Sequence, residues 1–432
     1  MKFLRKILDK QKPLFAKGGK YEKFHYLFEA GETFMFVPNE VTPKKGAQIR
    51  DAIDLKRLMM TVVIAMLPCL LFGIWNVGHQ HFISLGQTAP LLDKIIIGSQ
   101  QVLPIVLVSY VAGGLVEVVF SVIRRHPINE GFLVTGMLIP LIMPPNIPLW
   151  QVAIATIFAI VIAKEVFGGT GMNILNVALT ARVFLYFGFP SDISGDVWTY
   201  YGDNKEEVVS GYSGATPLSI GAETVTKSES NSVVNLMDEY SASINQPDLY
   251  SFNNMLIGSI PGSIGETSAL MCLIGALILI FTGVASWKII VSVFAGAYFM
   301  GYIFNLIGAN EFMLIPPHYH FVMGGLAFGA VFMATDPVSA AQTETGKWIY
   351  GFMIGLLTVL IRIFNPAYPE GIMLAVLFMN VFAPLIDFYV VEANKKRRLS
   401  VRECAILQTF PDDFVFHGAI GSMYKQIGNA VA

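Results

Sequence analysis

Residues 100–123 read QQVLPIVLVSYVAGGLVEVVFSVI, an apolar run in which Glu117 is the one charged side chain. An α-helix needs about 20 predominantly apolar residues to cross the hydrocarbon core of a bilayer, and this run is long enough. A helix in lipid satisfies its backbone hydrogen bonds internally, so such runs can be counted as spans. The stretch therefore predicts a transmembrane helix in an all-α integral membrane protein.

Apolar runs of similar length recur along the chain. The 432 residues are 54% hydrophobic and 14% charged, whereas a soluble domain has about 25% charged residues. Pro144-Pro145 and Gly168-Gly169 stand at the joints between the third, fourth and fifth runs. We predict ten spans, at residues 58–77, 100–123, 131–149, 150–167, 172–189, 266–284, 288–308, 319–335, 348–365 and 371–391.

The distribution of charge orients these spans. Thirteen Lys and Arg residues fall in residues 1–57, and Lys395 to Arg398 follow the last span. Cytoplasmic segments are enriched in Lys and Arg, and an even number of spans returns the chain to the side where it began. Both termini are thus predicted to be cytoplasmic. The acidic loop 190–255, with Lys205 and Lys227 as its cations, is predicted to lie outside.

A faint internal repeat divides the spans into two halves. Trp150 precedes Lys164 by fourteen residues, as Trp348 precedes Arg362, and a Gly/Pro-rich break follows each span. Five spans per half insert in opposite senses, which predicts two inverted five-helix repeats of the transporter type. The resulting divisions are a basic N-terminal segment 1–57, a first membrane half 58–189, an outer loop 190–265, a second half 266–391 and a tail 392–432.

Three carboxylates in or beside the spans are candidate functional groups. Glu117 lies inside an apolar span, where a carboxylate is costly and indicates function by default; a pair with Arg124 is the alternative. Asp336 stands at a span end, where Asp commonly caps the next helix. Asp387 lies near the basic tail and can be an interfacial residue attracted to it. No combination of Cys and His spacing predicts a metal site or a disulfide frame.

The order of several motifs resembles the B-type membrane subunits of the bacterial sodium-pumping NADH:quinone oxidoreductase family, from about residue 10 to 398. The motifs are RDAIDLKR (50–57), NEGF (129–132), KEVFGGTG (164–171), GYSGAT (211–216), IPGSIGE (260–266), FMATDPVS (332–339) and NPAYPEG (365–371). The D-type component of the ion-pumping ferredoxin:NAD oxidoreductase (Rnf) complex shares the fold and matches less well. It is one alternative; an inverted-repeat channel or transporter without redox function is the other.

The resemblance implies an FMN bound by a phosphodiester to Thr216, which Ser213, Gly214 and Ala215 precede, attached outside the membrane by a flavin transferase. It also implies a non-covalent riboflavin and delivery of electrons to ubiquinone, coupled to export of Na⁺. The implied partners are the A, C, D, E and F subunits of a six-subunit complex and membrane lipid, with no nucleic acid. The chain is not expected to oxidise NADH alone, because it lacks a Gly-x-Gly-x-x-Gly nucleotide motif in a soluble fold.

Further residues are carried over from the family with alternatives that stay open. Gly113-Gly114 match a glycine pair associated with quinone, although small residues also allow close helix packing. Glu117, Asp336 and Asp387 match residues linked to sodium. Gly168 and Gly169, beside Lys164, are predicted to open a helix whose N–H groups bind a phosphate or flavin carbonyls. An ion pair closing a helix joint, involving Lys164, Glu165 and Arg182, is the alternative there.

Two segments fall outside the predicted membrane core. Residues 222–250, rich in Ser, Glu and Asn, are predicted to be a mobile outer insertion. Residues 400–432 contain SVRECAILQTFPDDF and YKQIGNAV, which resemble the C-terminal motifs of cytosine-C5 DNA methyltransferases. The rest of that family's pattern is missing, so we interpret the tail as a fused or mis-joined fragment and expect no methyltransferase activity.

Overall fold

The computed structural model describes residues 2–15, 19–22, 25, 28, 32, 55–125, 131–195, 197–202, 208–227 and 231–395. These residues form helices and loops, and no β-strand occurs among them. In chain order the α-helices are α1 Lys2–Phe15, α2 Leu55–Ser84, α3 Leu91–Arg124, α4 Gly131–Leu141, α5 Leu149–Ala159, α6 Val177–Gly188, α7 Pro217–Lys227, α8 Val233–Ser243, α9 Phe252–Ile257, α10 Ala269–Phe281, α11 Trp287–Ile307, α12 Leu326–Phe328, α13 Glu344–Phe364 and α14 Ile372–Lys395. Helices α5 and α12 continue as π-helical turns, at Ile160–Glu165 and Gly329–Met333.

Five of these helices are long and apolar enough to cross a membrane, which makes the chain a multi-pass membrane protein. They are Arg57–Ser84, Leu91–Arg124, Trp287–Ile307, Glu344–Phe364 and Ile372–Ala393. Helix α3 illustrates their packing. Its inward face is narrow, with Gly98, Ser109 and Gly113 buried, whereas Leu107 and Leu115 on the other face are exposed. Small residues inside and large apolar residues outside are typical of helices packed within lipid.

Four of the other five predicted spans are shorter than expected, and the exception is α5, which with its π-helical turn covers Leu149 to Glu165. Helices α4, α6 and α10 have 11, 12 and 13 residues, and α12 with its π-helical turn is shorter still. The prediction of a helix over 319–335 is wrong at its start, because Pro316 and Pro317 lead into a 3₁₀ turn and Gly324 takes a left-handed φ of +65°. Similarly, the chain leaves helix at Leu141, just before Pro144.

The ends of these short helices meet inside the protein. The N–H groups of Ile264 and Gly265 donate to the carbonyls of Met143 and Leu141, at 3.1 and 2.7 Å. A Cβ on Gly265 would lie 2.6 Å from the Leu141 side chain, so the close approach needs glycine. Non-helical backbone at membrane depth has to be protected by protein, and these paired loops provide that protection.

Helices α2 and α10 pack together at the centre of the bundle. Cys69 and Cys272 face each other there, with their Sγ atoms 3.8 Å apart and both side chains buried. On either side of this contact, α3 packs on α5 and α11 packs on α13. Most of segment 1–57 and all of 396–432 lie outside the described residues, so those two boundary predictions stay predictions.

Candidate functional site

Thr216 lies at the start of helix α7. Its Oγ1 accepts a hydrogen bond from the Ser219 N–H at 3.2 Å, and the Ser219 Oγ accepts one from the Thr216 N–H at 2.9 Å. These reciprocal bonds cap the helix, and Pro217 occupies its first turn, where a missing N–H costs nothing. The sequence predicts an exposed hydroxyl, but Thr216 is half-buried and lines a cavity.

Two tyrosines hold the loop that leads to Thr216. The Tyr240 hydroxyl accepts from the N–H groups of Ser213 and Gly214, at 2.9 and 3.2 Å, and the Tyr250 hydroxyl donates to the Ala215 carbonyl. Burial raises the pKa of Tyr250 well above its ordinary value, so the hydroxyl keeps its proton. Both tyrosines come from the segment predicted to be mobile. Residues 233–243 of this segment form helix α8, and Tyr240 and Tyr250 contact the 213–216 motif, so the predicted mobility stays a prediction.

Gly214 is required by this loop. Its φ of +68° is left-handed, and a Cβ there would lie 2.8 Å from the Thr199 Oγ1. Glycine adopts this conformation without the steric cost that a side chain adds. Ser213 is half-buried and Ala215 is buried. The predicted motif 213–216 is therefore one packed turn that presents the Thr216 side chain to the cavity.

The cavity beside Thr216 has a volume of about 290 Å³. This lies near the lower end of the range for ligand pockets, about 300–1,000 Å³. Its wall combines aromatic, charged and non-helical backbone groups, including Trp198, Arg182, Glu266, Tyr368 and Gly325. The loops around it come from both halves of the chain.

An ion pair is buried in the wall of this cavity. Arg182 Nη1 lies 3.1 Å from Glu266 Oε2, and the two side chains are 1% and 3% exposed. Arg182 Nη1 also donates to the Ile142 carbonyl, and its Nε donates to the Tyr368 hydroxyl at 3.1 Å. Sequence reasoning treats Arg182 as a flanking charge and misses Glu266. The signal was available, because both are charged residues within apolar blocks.

Glu117 pairs with Lys164 instead of the predicted alternative, Arg124. The Lys164 Nζ donates to Glu117 Oε1, and both side chains are buried. Arg124 binds Glu165 instead, with Nη1 3.0 Å from the carboxylate and Nη2 2.7 Å from the backbone carbonyl. Glu117, which was predicted to handle sodium, and Lys164, which was predicted to bind the cofactor, thus form one ion pair.

Gly168 and Gly169 close a helix, contrary to the prediction that they open one. The N–H of Gly168 donates to the Glu165 carbonyl at 3.1 Å, and that of Gly169 to the Lys164 carbonyl at 3.0 Å. Their φ angles are +122° and +97°, values that favour glycine after a helix end. The next helix begins only at Val177, where Asn176 caps it. These two N–H groups are therefore occupied by the backbone.

Lys164 and Asp336 line a second, smaller cavity of about 100 Å³. Leu58, near the start of α2, lines it as well. The loop before Thr216 meets the other end of the same helix, since the Val209 N–H donates to the Ser84 carbonyl at 2.9 Å. At 1.5 Å per residue, Leu58 and Ser84 are about 39 Å apart along α2. The two cavities therefore lie towards opposite ends of the bundle.

Asp336 and Asp387 each hold backbone turns. The Asp336 carboxylate accepts from the Val338 N–H at 3.1 Å and the Ser339 hydroxyl at 2.8 Å, within its own turn. Asp387 accepts from the N–H groups of Gln342 and Thr343, at 2.7 and 2.9 Å, and so fixes the start of α13. Within the described ranges no three His, Cys, Asp or Glu side chains cluster, so the three predicted sodium residues do not form one group.

Gly113 and Gly114 differ in their surroundings. A Cβ on Gly113 would overlap the Phe132 ring and the Ile160 side chain, whereas one on Gly114 would lie 3.8 Å from Phe132. Gly113 therefore allows α3 and α4 to pack closely, whereas a Cβ at Gly114 would fit without overlap. The packing alternative accounts for Gly113, and the predicted association of the pair with quinone stays a prediction.

Known proteins are similar to this chain over most of its length. The model of the "NQR2, RnfD, RnfE" family matches residues 42–396. The chain belongs to this family. The B subunit of the Na(+)-translocating NADH-quinone reductase of Stutzerimonas stutzeri (strain A1501) is 46% identical over 423 residues, covering 92% of this chain and 99% of that protein. The proteins of the same name from Pseudomonas paraeruginosa (strain DSM 24068 / PA7) and Klebsiella pneumoniae (strain 342) are 44% identical with the same coverage.

A second family model, "C-5 cytosine-specific DNA methylase", matches residues 364–432. The described portion of this match contains α14, which is one of the five long apolar helices. The family relatives are covered to 99% by 92% of this chain, so the remainder of the chain has little counterpart in them.

Proposed function

We propose that this chain is the B-type membrane subunit of a sodium-translocating NADH:quinone oxidoreductase and carries FMN on Thr216. The observation that carries the proposal is the position of Thr216, whose hydroxyl stands at a helix N-terminus and on the rim of a cavity with aromatic and charged walls. The relatives named above support the assignment to this enzyme over the Rnf-type component or a redox-inactive transporter.

The residues around Thr216 fit a phosphate-tethered flavin. A phosphate on Oγ1 would lie at the N-terminus of α7, where the helix dipole favours negative charge. The ring would then have the cavity beside it, with Trp198 and Tyr368 as aromatic neighbours. The flavin supplies the electron-transfer chemistry when bound. The residues of the chain orient it and exclude water.

The proposed riboflavin has a weaker structural basis. The smaller cavity contains Lys164 and Asp336, but its volume of about 100 Å³ is below the range for ligand pockets, about 300–1,000 Å³. The described residues therefore do not fit a whole flavin there, and we assign no contact to riboflavin. Ubiquinone, Na⁺, the flavin transferase and the A, C, D, E and F subunits remain proposed partners on the basis of the family.

We further propose two inverted five-helix repeats in a bacterial inner membrane, with both termini cytoplasmic. Matching contacts support the repeats, since α3 packs on α5 and α5 on α6, as α11 packs on α13 and α13 on α14. The loop before Thr216 contacts the C-terminal end of α2, whereas the basic segment precedes its N-terminal end. If that basic segment is cytoplasmic, Thr216 lies on the external side. Under this proposal the 400–432 tail adds no methyltransferase activity.

Covalent flavin fluorescence tests the central proposal. The full chain, co-expressed with a flavin transferase, should give a fluorescent band on a denaturing gel, and Thr216→Ala should abolish it. Thr226→Ala is the matched control, because Thr226 lines the same cavity from within α7. A dark wild-type band, or fluorescence that persists in Thr216→Ala, would contradict the proposal.

A further inference from the structure

The buried pair in the Thr216 cavity has unused hydrogen-bonding capacity. Arg182 Nη1 and Glu266 Oε2 face each other, while Arg182 Nη2 and Glu266 Oε1 are buried and have no hydrogen-bond partner among the described residues. An unsatisfied buried polar atom destabilises the folded state, and more so when the group is charged. A donor and an acceptor left open on adjacent side chains therefore point to a polar ligand.

The rest of the Arg182 side chain is held in place. Its Nε donates to the Tyr368 hydroxyl at 3.1 Å, and its Nη1 to the Ser263 hydroxyl at 3.3 Å and the Ile142 carbonyl. The guanidinium also lies 5.7 Å from the centre of the Trp198 ring. Since the guanidinium is planar, these contacts fix the direction of Nη2. The spare donor is therefore pre-oriented.

The open atoms match one edge of a flavin ring. The pyrimidine edge of isoalloxazine has an N–H group between two carbonyls, so neighbouring positions accept and donate a hydrogen bond. Arg182 Nη2 can donate to a carbonyl while Glu266 Oε1 accepts from the ring N–H. Both side chains line the cavity that contains Thr216. A phosphate, by contrast, offers acceptors alone and would leave the Glu266 oxygen opposed to negative charge.

We propose that Arg182 and Glu266 bind the pyrimidine edge of the flavin in the Thr216 cavity and that their opposite charges adjust its reduction potential. This inference rests on the proposed attachment of FMN to Thr216. A phosphodiester tether leaves the ring chemically unaltered, so its potential depends on the surroundings. Reduction adds negative charge to the ring. The Arg182 cation therefore favours the reduced form, and the Glu266 carboxylate opposes it.

Redox titration of the flavinylated full chain tests this role. In Arg182→Gln the oxidised form should be favoured at least tenfold, which corresponds to a midpoint potential about 30 mV more negative for a two-electron couple. In Glu266→Gln the shift should be at least as large in the opposite direction. A merely structural role would not produce shifts of opposite sign. Arg182→Lys, which keeps the cation, should recover part of the shift.

Arg124→Gln is the matched control, because it removes the cation of another Arg–Glu pair, at 3.0 Å, away from this cavity. It should leave the potential of the Thr216 flavin unchanged. If Arg182→Gln does not fold, Glu266→Gln still decides the matter, because Arg182 keeps its other partners. Unchanged potentials, or shifts of the same sign, in variants that retain in-gel fluorescence would overturn the inference. A wild-type chain without fluorescence would instead refute the attachment to Thr216.

Discussion

The two ends of the helix bundle contain buried ion pairs with different surroundings. At the Thr216 end, Arg182 and Glu266 border a cavity of about 290 Å³, and each keeps one open polar atom. At the other end, Lys164 binds Glu117 beside a cavity of about 100 Å³, and Arg124 binds both the carboxylate and the carbonyl of Glu165. Of these buried pairs, Arg182–Glu266 is therefore the stronger candidate for binding a ligand, because its open hydrogen-bonding atoms border a cavity.

Breaking the Lys164–Glu117 pair should have the largest effect on stability. Glu117→Ala leaves a buried ammonium without its carboxylate, and removal of one partner from a buried pair typically costs about 3–5 kcal/mol. Unfolding of the detergent-solubilised chain should report this loss. A double variant, Glu117→Leu with Lys164→Met, should recover most of the stability.

Glu117→Ala and the double variant also distinguish a structural role of Glu117 from a role in sodium transport. If Glu117 serves sodium, turnover of the assembled complex should lose its sodium dependence in the double variant as well as in Glu117→Ala. Sodium-dependent turnover that survives in a stable double variant would assign Glu117 to structure alone.

Gly113→Ala should have an intermediate effect. The added Cβ overlaps Phe132, and overpacking a well-filled core costs about 1–3 kcal/mol. Gly114→Ala is the internal control, because its Cβ meets Phe132 at an ordinary contact distance of 3.8 Å. Thermal unfolding should separate the two variants. Equal destabilisation would contradict the packing role of Gly113, and loss of quinone reduction in a stable Gly114→Ala variant would support the quinone assignment.

Tyr250→Phe should have a smaller effect at the Thr216 end. It removes the hydroxyl that donates to the Ala215 carbonyl, and a hydrogen bond of this kind contributes about 0.5–1.5 kcal/mol. Because the turn that presents Thr216 loosens, the fraction of chains carrying flavin should fall relative to wild type. Tyr298→Phe, at an exposed position on α11, should leave that fraction unchanged. Full flavin content in Tyr250→Phe would mean that Tyr250 does not hold the turn.

Deleting residues 400–432 should have the smallest effect. The methyltransferase-like motifs cannot form a cofactor pocket within so short a segment, and the match to the membrane-subunit family ends at residue 396. Flavin content and assembly should match wild type, and neither form should methylate DNA. Loss of assembly would assign the tail a structural role.

The apolar runs correctly predicted the five long helices. They could do so because span length is a local property of a sequence. They failed at the short helices, since the loops 141–143 and 263–266 satisfy one another across more than a hundred residues. The contacts of Tyr240 and Tyr250 with the 213–216 motif and the pairing of Arg182 with Glu266 were missed for the same reason, because each joins separate regions of the chain.

Mass spectrometry of the peptide that contains Thr216 can detect the proposed covalent FMN directly. The chain should be co-expressed with a flavin transferase, digested and sequenced by fragmentation. We expect one FMN, less one water, on the Thr216 side chain and none on Ser213 or Thr226. An unmodified Thr216, or an FMN on another residue, would contradict it.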